Sequence, residues 1–322
     1  MAFRYINIGD GNGIFSPSRL LVVEDLQYSK TGKAFSVDLS DITTSYLMGK
    51  ITLPTPIGSD LWIKCDLYID STSNAYYFAL GNWIFNTDNL DCIEGLYLKN
   101  GNMYLNMNSN YNSTACYYTL KKKAVNKIWA HLHYGVGTNA SYSEFECNGE
   151  RFYQKVTRTA GAYAIGEDVE ALKTITFVFP KNYPCYLSNV IISDTEILPK
   201  EQVIALPISE TVTDMAAGDS GIYIADAANQ SLLQSVDVSS LIENYGASSA
   251  ITGIGLVGNP AYKTAEGLAK LTALSKSGGS IAEHNTIALS GDSTAMIIDC
   301  WGLSSVTIAD LQNMQFGWKV GE

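Results

Sequence analysis

The chain has 322 residues, 46% of them hydrophobic, which is enough for two domains that each bury a core. Its formal net charge of -11 argues against a nucleic-acid-binding surface, because such affinity rests largely on Lys and Arg. The only basic run, Lys121–Lys123, fits a solvated turn. With 20 Tyr and 27 Gly, the composition favours short strands joined by polar turns over an all-helical fold.

The N-terminus and the cysteines bear on the cellular compartment. The start, MAFRYINIGDGNG, has no basic region followed by an apolar stretch, and no run of about 18 apolar residues could cross a bilayer. We therefore expect no signal peptide, no membrane insertion and synthesis in a cytoplasm. The 6 Cys lack close CxxC pairs, so we expect reduced, mostly buried thiols.

Residues 1–33 contain the strand-like runs FRYINI and RLLVVEDL and are predicted to form an N-terminal arm or edge strands. As an arm, this segment could pair with the sheet edge of a neighbouring molecule. Residues 34–208 then alternate apolar and polar positions in short runs: KITL, DLWIKCDLYI, AYYFALG, GLYLKNGNMYLNM, KIWAHLHYGV, SEFECNGERFYQKV, KTITFVF and YLSNVIIS. This rhythm predicts antiparallel strands in a sandwich or barrel.

Two Asn-Gly pairs, at 100–101 and 148–149, predict two-residue hairpin loops, because this dipeptide readily supplies positive φ at both central positions. In the second hairpin, the loop fixes which residues face each other across the ladder. The predicted pairs are Cys147 with Glu150, Glu146 with Arg151, Phe145 with Phe152 and Glu144 with Tyr153.

Three glutamates in this hairpin, Glu144, Glu146 and Glu150, raise the question of glycan cleavage, which needs two carboxyls flanking the scissile bond. Alternation puts Glu144 and Glu146 on one surface and Glu150 on the other, so the three cannot converge. We expect Arg151 to form a cross-strand ion pair with Glu146. A glycan hydrolase stays an alternative, and a non-enzymatic role is favoured.

The order of KIWAHLHYGV, FECNGERF and YLSNVIISDTEILPKEQVIAL resembles the laminin-G-like, concanavalin A-like jelly roll. The matching positions are Trp129 with His131, the 148–149 hairpin, and residues 188–192 followed by 198–201, within a stretch of about half the chain. The resemblance implies a mainly β, antiparallel sandwich with a concave face that many relatives use for glycans, often with calcium at one rim. The Glu-x-Asp-x-x-Glu strand of the hydrolase branch is absent, so no activity is carried over.

Aromatic and amide side chains around two neighbouring hairpins are the candidate glycan-binding residues, because sugars place C–H faces on aromatic rings and hydroxyls on amides. They are Tyr76, Tyr77, Trp83, Asn86, Tyr104, Asn106, Asn108 and Tyr111. The loop between them carries Asp88 and Asp91, the candidate calcium ligands. An ordinary polar turn is the alternative for the loop, and strand packing is the alternative for the tyrosines.

Two further motifs have competing interpretations. His131 and His133 lie two apart on one strand, a spacing that could chelate zinc or copper given a third ligand, although simple placement on a sheet surface is favoured. Residues 218–221, Gly-Asp-Ser-Gly, match the nucleophile tetrapeptide of trypsin-like proteases, but a turn is favoured because a suitably placed base is lacking.

Residues 209–322 are predicted to form a smaller β-rich domain. Within it, TAEGLAKLTALSK places Leu268, Leu271 and Leu274 three apart and is followed by Gly278 and Gly279, which predicts one short amphipathic helix. SVDVSSLIENYG predicts a strand and a short capped turn. The domain resembles C-terminal segments of phage or prophage tail and virion proteins.

Together these observations favour a non-enzymatic carbohydrate-binding or adhesion module of a phage tail or virion protein. Its expected partners are a surface glycan and other virion proteins, its expected location is the virion after synthesis in the bacterial cytoplasm, and a homotrimer is expected because such particles are symmetric. A purely structural role in virion assembly is the alternative.

Overall fold

The computed structural model describes residues 3–11, 19–30, 32–41, 43, 46–53, 59–70, 79–83, 92–99, 102–106, 118–133, 141–156, 174–180, 185–219, 222–261, 268–289 and 295–322. The chain divides into two compact units, Phe3–Val203 and Ile204–Glu322.

The first unit consists of antiparallel strands in two sheets. The strands are β1 (Phe3–Asn7), β2 (Leu20–Val23), β3 (Ala34–Val37), β4 (Tyr46–Thr52), β5 (Asp60–Ile69), β6 (Ala79–Trp83), β7 (Cys92–Lys99), β8 (Asn102–Asn106), β9 (Tyr118–Thr119), β10 (Ala124–His133), β11 (Ser141–Cys147), β12 (Glu150–Val156), β13 (Thr174–Pro180) and β14 (Cys185–Ser193). An eight-stranded sheet has the order β12-β11-β10-β5-β14-β3-β2, with β1 also on β14, and a six-stranded sheet has the order β4-β13-β6-β7-β8-β9.

The core lies between these sheets. Leu61, Ile63 and Cys65 alternate along β5 as fully buried side chains, as the period-two pattern requires. Phe35 of the eight-stranded sheet lies 6.2 Å from Phe179 of the six-stranded sheet, ring centre to ring centre, and both are buried. The predicted antiparallel jelly-roll sandwich is therefore confirmed.

Part of the outer face of the eight-stranded sheet is covered by the chain that follows β14. Trp129 on β10 donates its indole N–H to the carbonyl of Ile197 at 2.8 Å, and the Val203 N–H donates to Asn189 Oδ1 at 2.5 Å. Trp129 is only 3% exposed, and Lys64 beside it on β5 is equally buried. We call residues 194–203 the cover segment. The next pairs along the same face are His131 with Trp62 and His133 with Asp60.

The N-terminal strands belong to this unit's own sheet. β1 pairs with β14 from Phe3 to Asn7, and β2 pairs with β3 from Leu20 to Val23. β2 ends the sheet, and its ladder partner β3 is in the same chain. Pairing satisfies the backbone groups of these short apolar runs.

The hairpin at 148–149 is confirmed with all four predicted cross-strand pairs. Asn148 and Gly149 have φ of 53° and 90°, the positive values that the turn requires. At 100–101 the flanking strands pair with Lys99 opposite Asn102, as a two-residue loop requires; the loop residues themselves lie outside the described ranges. Cys65, Cys147, Cys185 and Cys300 are buried, as predicted, and form no disulfide among the described residues.

The second unit is also rich in strands. They are β15 (Ile208–Thr213), β16 (Ala216–Ala217), β17 (Tyr223–Ile224), β18 (Ser231–Val236), β19 (Ala250–Ala261), β20 (Lys270–Ser277), β21 (Ser280–Ala288), β22 (Ala295–Thr307) and β23 (Met314–Gly321), with helices α1 (Ser239–Tyr245) and α2 (Ile308–Leu311). A sheet of order β15-β18-β23-β20-β21 packs its core around Trp301, Phe316 and Trp318. None of the helices in the described ranges is long and apolar enough to cross a membrane.

The helix predicted over residues 264–276 is wrong. Residues 270–277 form β20, a strand paired with β23 on one side and β21 on the other. As an inner strand it buries five consecutive residues, so its leucines do not mark one face of a helix. Gly278 and Gly279, with φ of 55° and 89°, form the tight loop to β21.

The short helices of this unit lie elsewhere than predicted. α1 occupies the stretch predicted to be a capped turn, and α2 begins with a capping box between Thr307 and Asp310.

In the Gly-Asp-Ser-Gly motif, the Gly218 N–H donates to the Ile222 carbonyl between β16 and β17. Ser220 and Gly221 lie outside the described residues.

Candidate functional site

A row of rings crosses the outer face of the eight-stranded sheet beside the cover segment. Its members are Trp62 on β5, His131 and His133 on β10, Tyr142 on β11 and Tyr153 on β12. They share this face because they alternate with buried core residues along their strands. The register places His131 opposite Trp62 and His133 opposite Tyr142. We call these five residues, with Asp60, the histidine face.

The rings of this row pack on one another. Trp62 stacks on His131 with ring centres 4.1 Å apart and planes 8° apart, and His133 stacks on Tyr142 at 4.5 Å and 15°. His131 meets the Tyr142 ring edge-to-face at 5.4 Å. Tyr153, 5.9 Å from Tyr142, ends the row and is 59% exposed. The inner rings thus cover one another, whereas Tyr153 offers ring surface to solvent.

Asp60 holds both imidazoles with a single oxygen. His131 Nε2 and His133 Nδ1 each lie 2.8 Å from Asp60 Oδ1, while the Ser59 hydroxyl donates to Asp60 Oδ2 at 2.6 Å. An ionised carboxylate only accepts hydrogen bonds, so both ring nitrogens must carry hydrogen. In the neutral state, His131 is then the Nε2–H tautomer and His133 the Nδ1–H tautomer.

This hydrogen bonding also sets the charge of Asp60. Partial burial alone would raise the pKa of its carboxyl, but the hydrogen bonds from Ser59, His133 and His131 outweigh it and lower the pKa. Asp60 therefore carries a full negative charge in neutral and mildly acidic solution. Beside it, burial together with the charge of Asp60 raises the pKa of Tyr142, whose hydroxyl stays protonated.

The favoured interpretation of His131 and His133, placement on a sheet surface, agrees with this geometry. Asp60 supplies a third polar group, but as a hydrogen-bond acceptor shared by both rings. Within the described ranges, no group of three His, Cys, Asp or Glu side chains is arranged to hold a metal ion.

Arg151 borders the row, and its predicted partner was wrong. Its guanidinium donates to Glu144 Oε2 at 2.6 Å, so the ion pair runs diagonally across the ladder instead of to Glu146 directly opposite. The guanidinium carbon also lies 4.9 Å from the centre of the Trp129 ring. Strand twist brings diagonal neighbours on one face within reach of a long side chain. The Trp129 ring attracts the guanidinium and so favours this direction of the Arg151 side chain.

The three glutamates of the hairpin do not converge, as predicted. Glu144 and Glu146 lie on the outer face, opposite Tyr153 and Arg151, whereas Glu150 lies opposite the buried Cys147 at the hairpin end. The Glu144 carboxylate accepts a hydrogen bond from Arg151.

The binding residues predicted from the sequence are placed only in part. Trp83 ends β6, and Tyr104 and Asn106 lie on β8, in the six-stranded sheet, but the structure describes only their backbone. The others lie outside the described residues: Tyr76, Tyr77, Asn86, Asn108, Tyr111 and the two candidate calcium ligands Asp88 and Asp91. These assignments stay predictions. Trp83, Tyr104 and Asn106 lie on a different sheet from the histidine face.

The comparisons with known proteins give weak likenesses. No protein-family model matches the chain, and no curated protein matches it. Among solved structures, arcelin-5, a lectin-like defence protein from Phaseolus vulgaris, has 10% identity and a TM-score of 0.34 over 56% of this chain and 94% of its own. Lectin II from Ulex europaeus has 7% identity and a TM-score of 0.33 over 60% and 99%. The receptor binding domain of botulinum neurotoxin mosaic serotype C/D has 12% identity and a TM-score of 0.36 over 92% and 81%. At these values, the likenesses carry no argument about this chain's ligand.

Proposed function

We propose that this chain is a non-catalytic carbohydrate-binding module whose ligand lies on the histidine face. The observation that carries the proposal is the exposed ring of Tyr153 at the end of a row of rings with polar tips. Saccharides combine apolar C–H faces with many hydroxyls, and sites that bind them need a ring surface beside fixed donors and acceptors.

Each part of the face has a definite role in this proposal. The Tyr153 ring supplies the surface for a sugar ring. The Tyr142 hydroxyl and the ring nitrogens of His131 and His133 that do not bond Asp60 supply hydrogen-bonding groups. Because Asp60 and the stacking partners already fix both imidazoles, little side-chain freedom is lost on binding.

The dimensions favour a chain of sugars over a single terminal residue. Trp62, His131, Tyr142 and Tyr153 lie on four adjacent strands, β5, β10, β11 and β12. At about 4.8 Å between strands, the row is about 14 Å long, which exceeds one sugar ring. Placement of the module in a phage tail or virion, with other virion proteins and as a trimer, remains a prediction from the sequence.

The test is binding of the full chain to a panel of soluble polysaccharides by affinity electrophoresis. We expect Tyr153→Ala to weaken binding about threefold to tenfold, since an aromatic contact contributes about 0.5–1.5 kcal/mol beyond burial. Tyr153→Phe should retain most of the affinity. Tyr245→Ala, which removes an exposed tyrosine on α1 of the second unit, is the matched control. Folded wild-type protein that binds no polysaccharide, or Tyr153→Ala that binds like the wild type, would refute the proposal.

A further inference from the structure

One carboxylate lies within the row of rings, beside its exposed end. Glu144 on β11 lies directly opposite Tyr153 on β12, and on its other side it lies opposite His131 on β10. Directly opposed residues of antiparallel strands share a face and have Cβ atoms about 5 Å apart. A sugar ring placed on Tyr153 would therefore lie within reach of the Glu144 carboxylate.

The Glu144 carboxylate can accept more hydrogen bonds than it does. Arg151 donates to Oε2 at 2.6 Å, and Oε1 has no hydrogen-bond partner among the described residues. An ionised carboxylate has about four acceptor positions, so a single donor leaves most of them open. The side chain is 29% exposed, and a ligand can reach it from solvent.

Arg151 supplies donors next to this acceptor. Its guanidinium carries several N–H groups in a fixed planar arrangement, and its side chain is 55% exposed. Glu144 holds it on one side, and the Trp129 ring, 4.9 Å from the guanidinium carbon, attracts it on the other. Trp129 is itself fixed by its hydrogen bond to the Ile197 carbonyl. The acceptor and the donor are thus held in place, so little side-chain freedom would be lost on binding.

An acceptor beside a donor is complementary to two neighbouring hydroxyl groups. Each hydroxyl can both donate and accept, so one can donate to Glu144 while its neighbour on the same sugar accepts from Arg151. Ring stacking alone discriminates little between saccharides, and fixed polar groups supply the specificity of a site. We propose that Glu144 and Arg151 select saccharides with two free neighbouring hydroxyls on the sugar that lies on Tyr153; this inference rests on the proposed function.

The experiment compares native and O-methylated polysaccharides. The probes are polymers of the panel above, among them dextran, galactomannan and xyloglucan, each beside its O-methylated derivative. Methylation keeps the C–H faces but removes the hydroxyl hydrogens. By affinity electrophoresis of the full chain, we expect the native polymers that bind to do so about tenfold or more tightly than their derivatives, because hydrogen bonds to charged groups are the stronger kind.

The decisive variant is Glu144→Ala. We expect it to bind the native polymers about tenfold or more weakly than the wild type, and to bind the methylated derivatives as the wild type does. Glu144→Gln keeps one acceptor oxygen and should retain part of the affinity. Glu150→Ala is the matched control, because it removes an exposed glutamate from the end of the same hairpin. Near-ultraviolet circular dichroism checks that each variant is folded.

Arg151→Ala, alone and combined with Glu144→Ala, tests whether the two side chains act as a pair. The loss in the double variant should be smaller than the product of the two single losses. Equal binding of native and methylated polymers by the wild type would overturn the inference while the proposed function stands. So would Glu144→Ala that binds native polymers like the wild type, or losses that simply multiply. Absence of binding to every polymer, native or methylated, would remove the proposed function as well.

Discussion

Asn126 provides a strong test of how polar groups stabilise the first unit. It lies on β10, is fully buried, and joins two turns at one end of the sheet. Its Oδ1 accepts from the Lys121 N–H at 2.9 Å, and its Nδ2 donates to the carbonyls of Lys121 and Ala124 at 3.0 and 3.1 Å. The Asn148 side chain of the β11–β12 hairpin also donates to Asn126 Oδ1 at 3.0 Å.

Asn126→Ala removes these hydrogen bonds together with a fully buried side chain. Each hydrogen bond contributes about 1 kcal/mol. We therefore expect the free energy of unfolding of the first unit to fall by about 3 kcal/mol. The urea midpoint of that unit should fall by about 1 M or more.

Ser188→Ala is the matched control. Ser188 is also fully buried and lies on β14, which flanks β5 on the side opposite β10, but its Oγ has no hydrogen-bond partner among the described residues. Removing an unpaired hydroxyl should be neutral or slightly stabilising. Labelling of Cys65 and Cys300 during urea unfolding, read by peptide mass spectrometry, follows the two units separately. Equal effects of the two substitutions would refute the reasoning.

Three other outcomes follow from local geometry. Gly317→Ala should destabilise the second unit by about 3 kcal/mol, because the new Cβ would overlap the Leu232 carbonyl. Gly149→Ala should destabilise the first unit by only about 1 kcal/mol, because the space around it is open and only its φ of 90° is unfavourable. Urea unfolding measures both changes. Burial raises the pKa of the Cys185 thiol to about 12, so maleimide should label it at pH 8 only after unfolding. Hydrogen bonds from Thr307 lower the pKa of Asp310, so its stabilisation of α2 should be present at neutral pH and lost as the pH falls through that lowered pKa. The loss should be seen as smaller amide protection factors in α2, after correction for the intrinsic exchange rate at each pH.

The sequence predicts those features whose determinants are local. The Asn-Gly pair at 148–149 fixes its own turn, and the turn fixes the ladder from Glu144 to Tyr153, so that register is confirmed pair by pair. The helix prediction at 264–276 failed for the complementary reason. An inner strand that buries both faces has no alternation to distinguish it from a helix, and its two neighbours in the sheet are set by contacts distant in sequence.

The histidine face depends on such distant contacts. His131 and His133 are recognisable in the sequence, but Asp60 lies 71 and 73 residues away and reaches them only through the β5–β10 register. Alternation along DLWIKCDLYI places Asp60 and Trp62 on one face, and that was the available signal. Alternation does not say which strand lies next to β5, and the sequence alone pointed to tyrosines and asparagines near other hairpins.

The cover segment and the histidine face treat the same outer sheet surface in two different ways. Where the segment crosses the outer face, it buries Trp129 and completes that side chain's hydrogen bond with its own backbone. On the neighbouring rungs, Asp60 supplies the hydrogen bonds that fix His131 and His133 while leaving one nitrogen of each free of that contact. A face that only needed covering could be buried in the same way as Trp129. Polar rings that are internally fixed and still partly exposed suit the proposed ligand, because less side-chain entropy would be lost on binding.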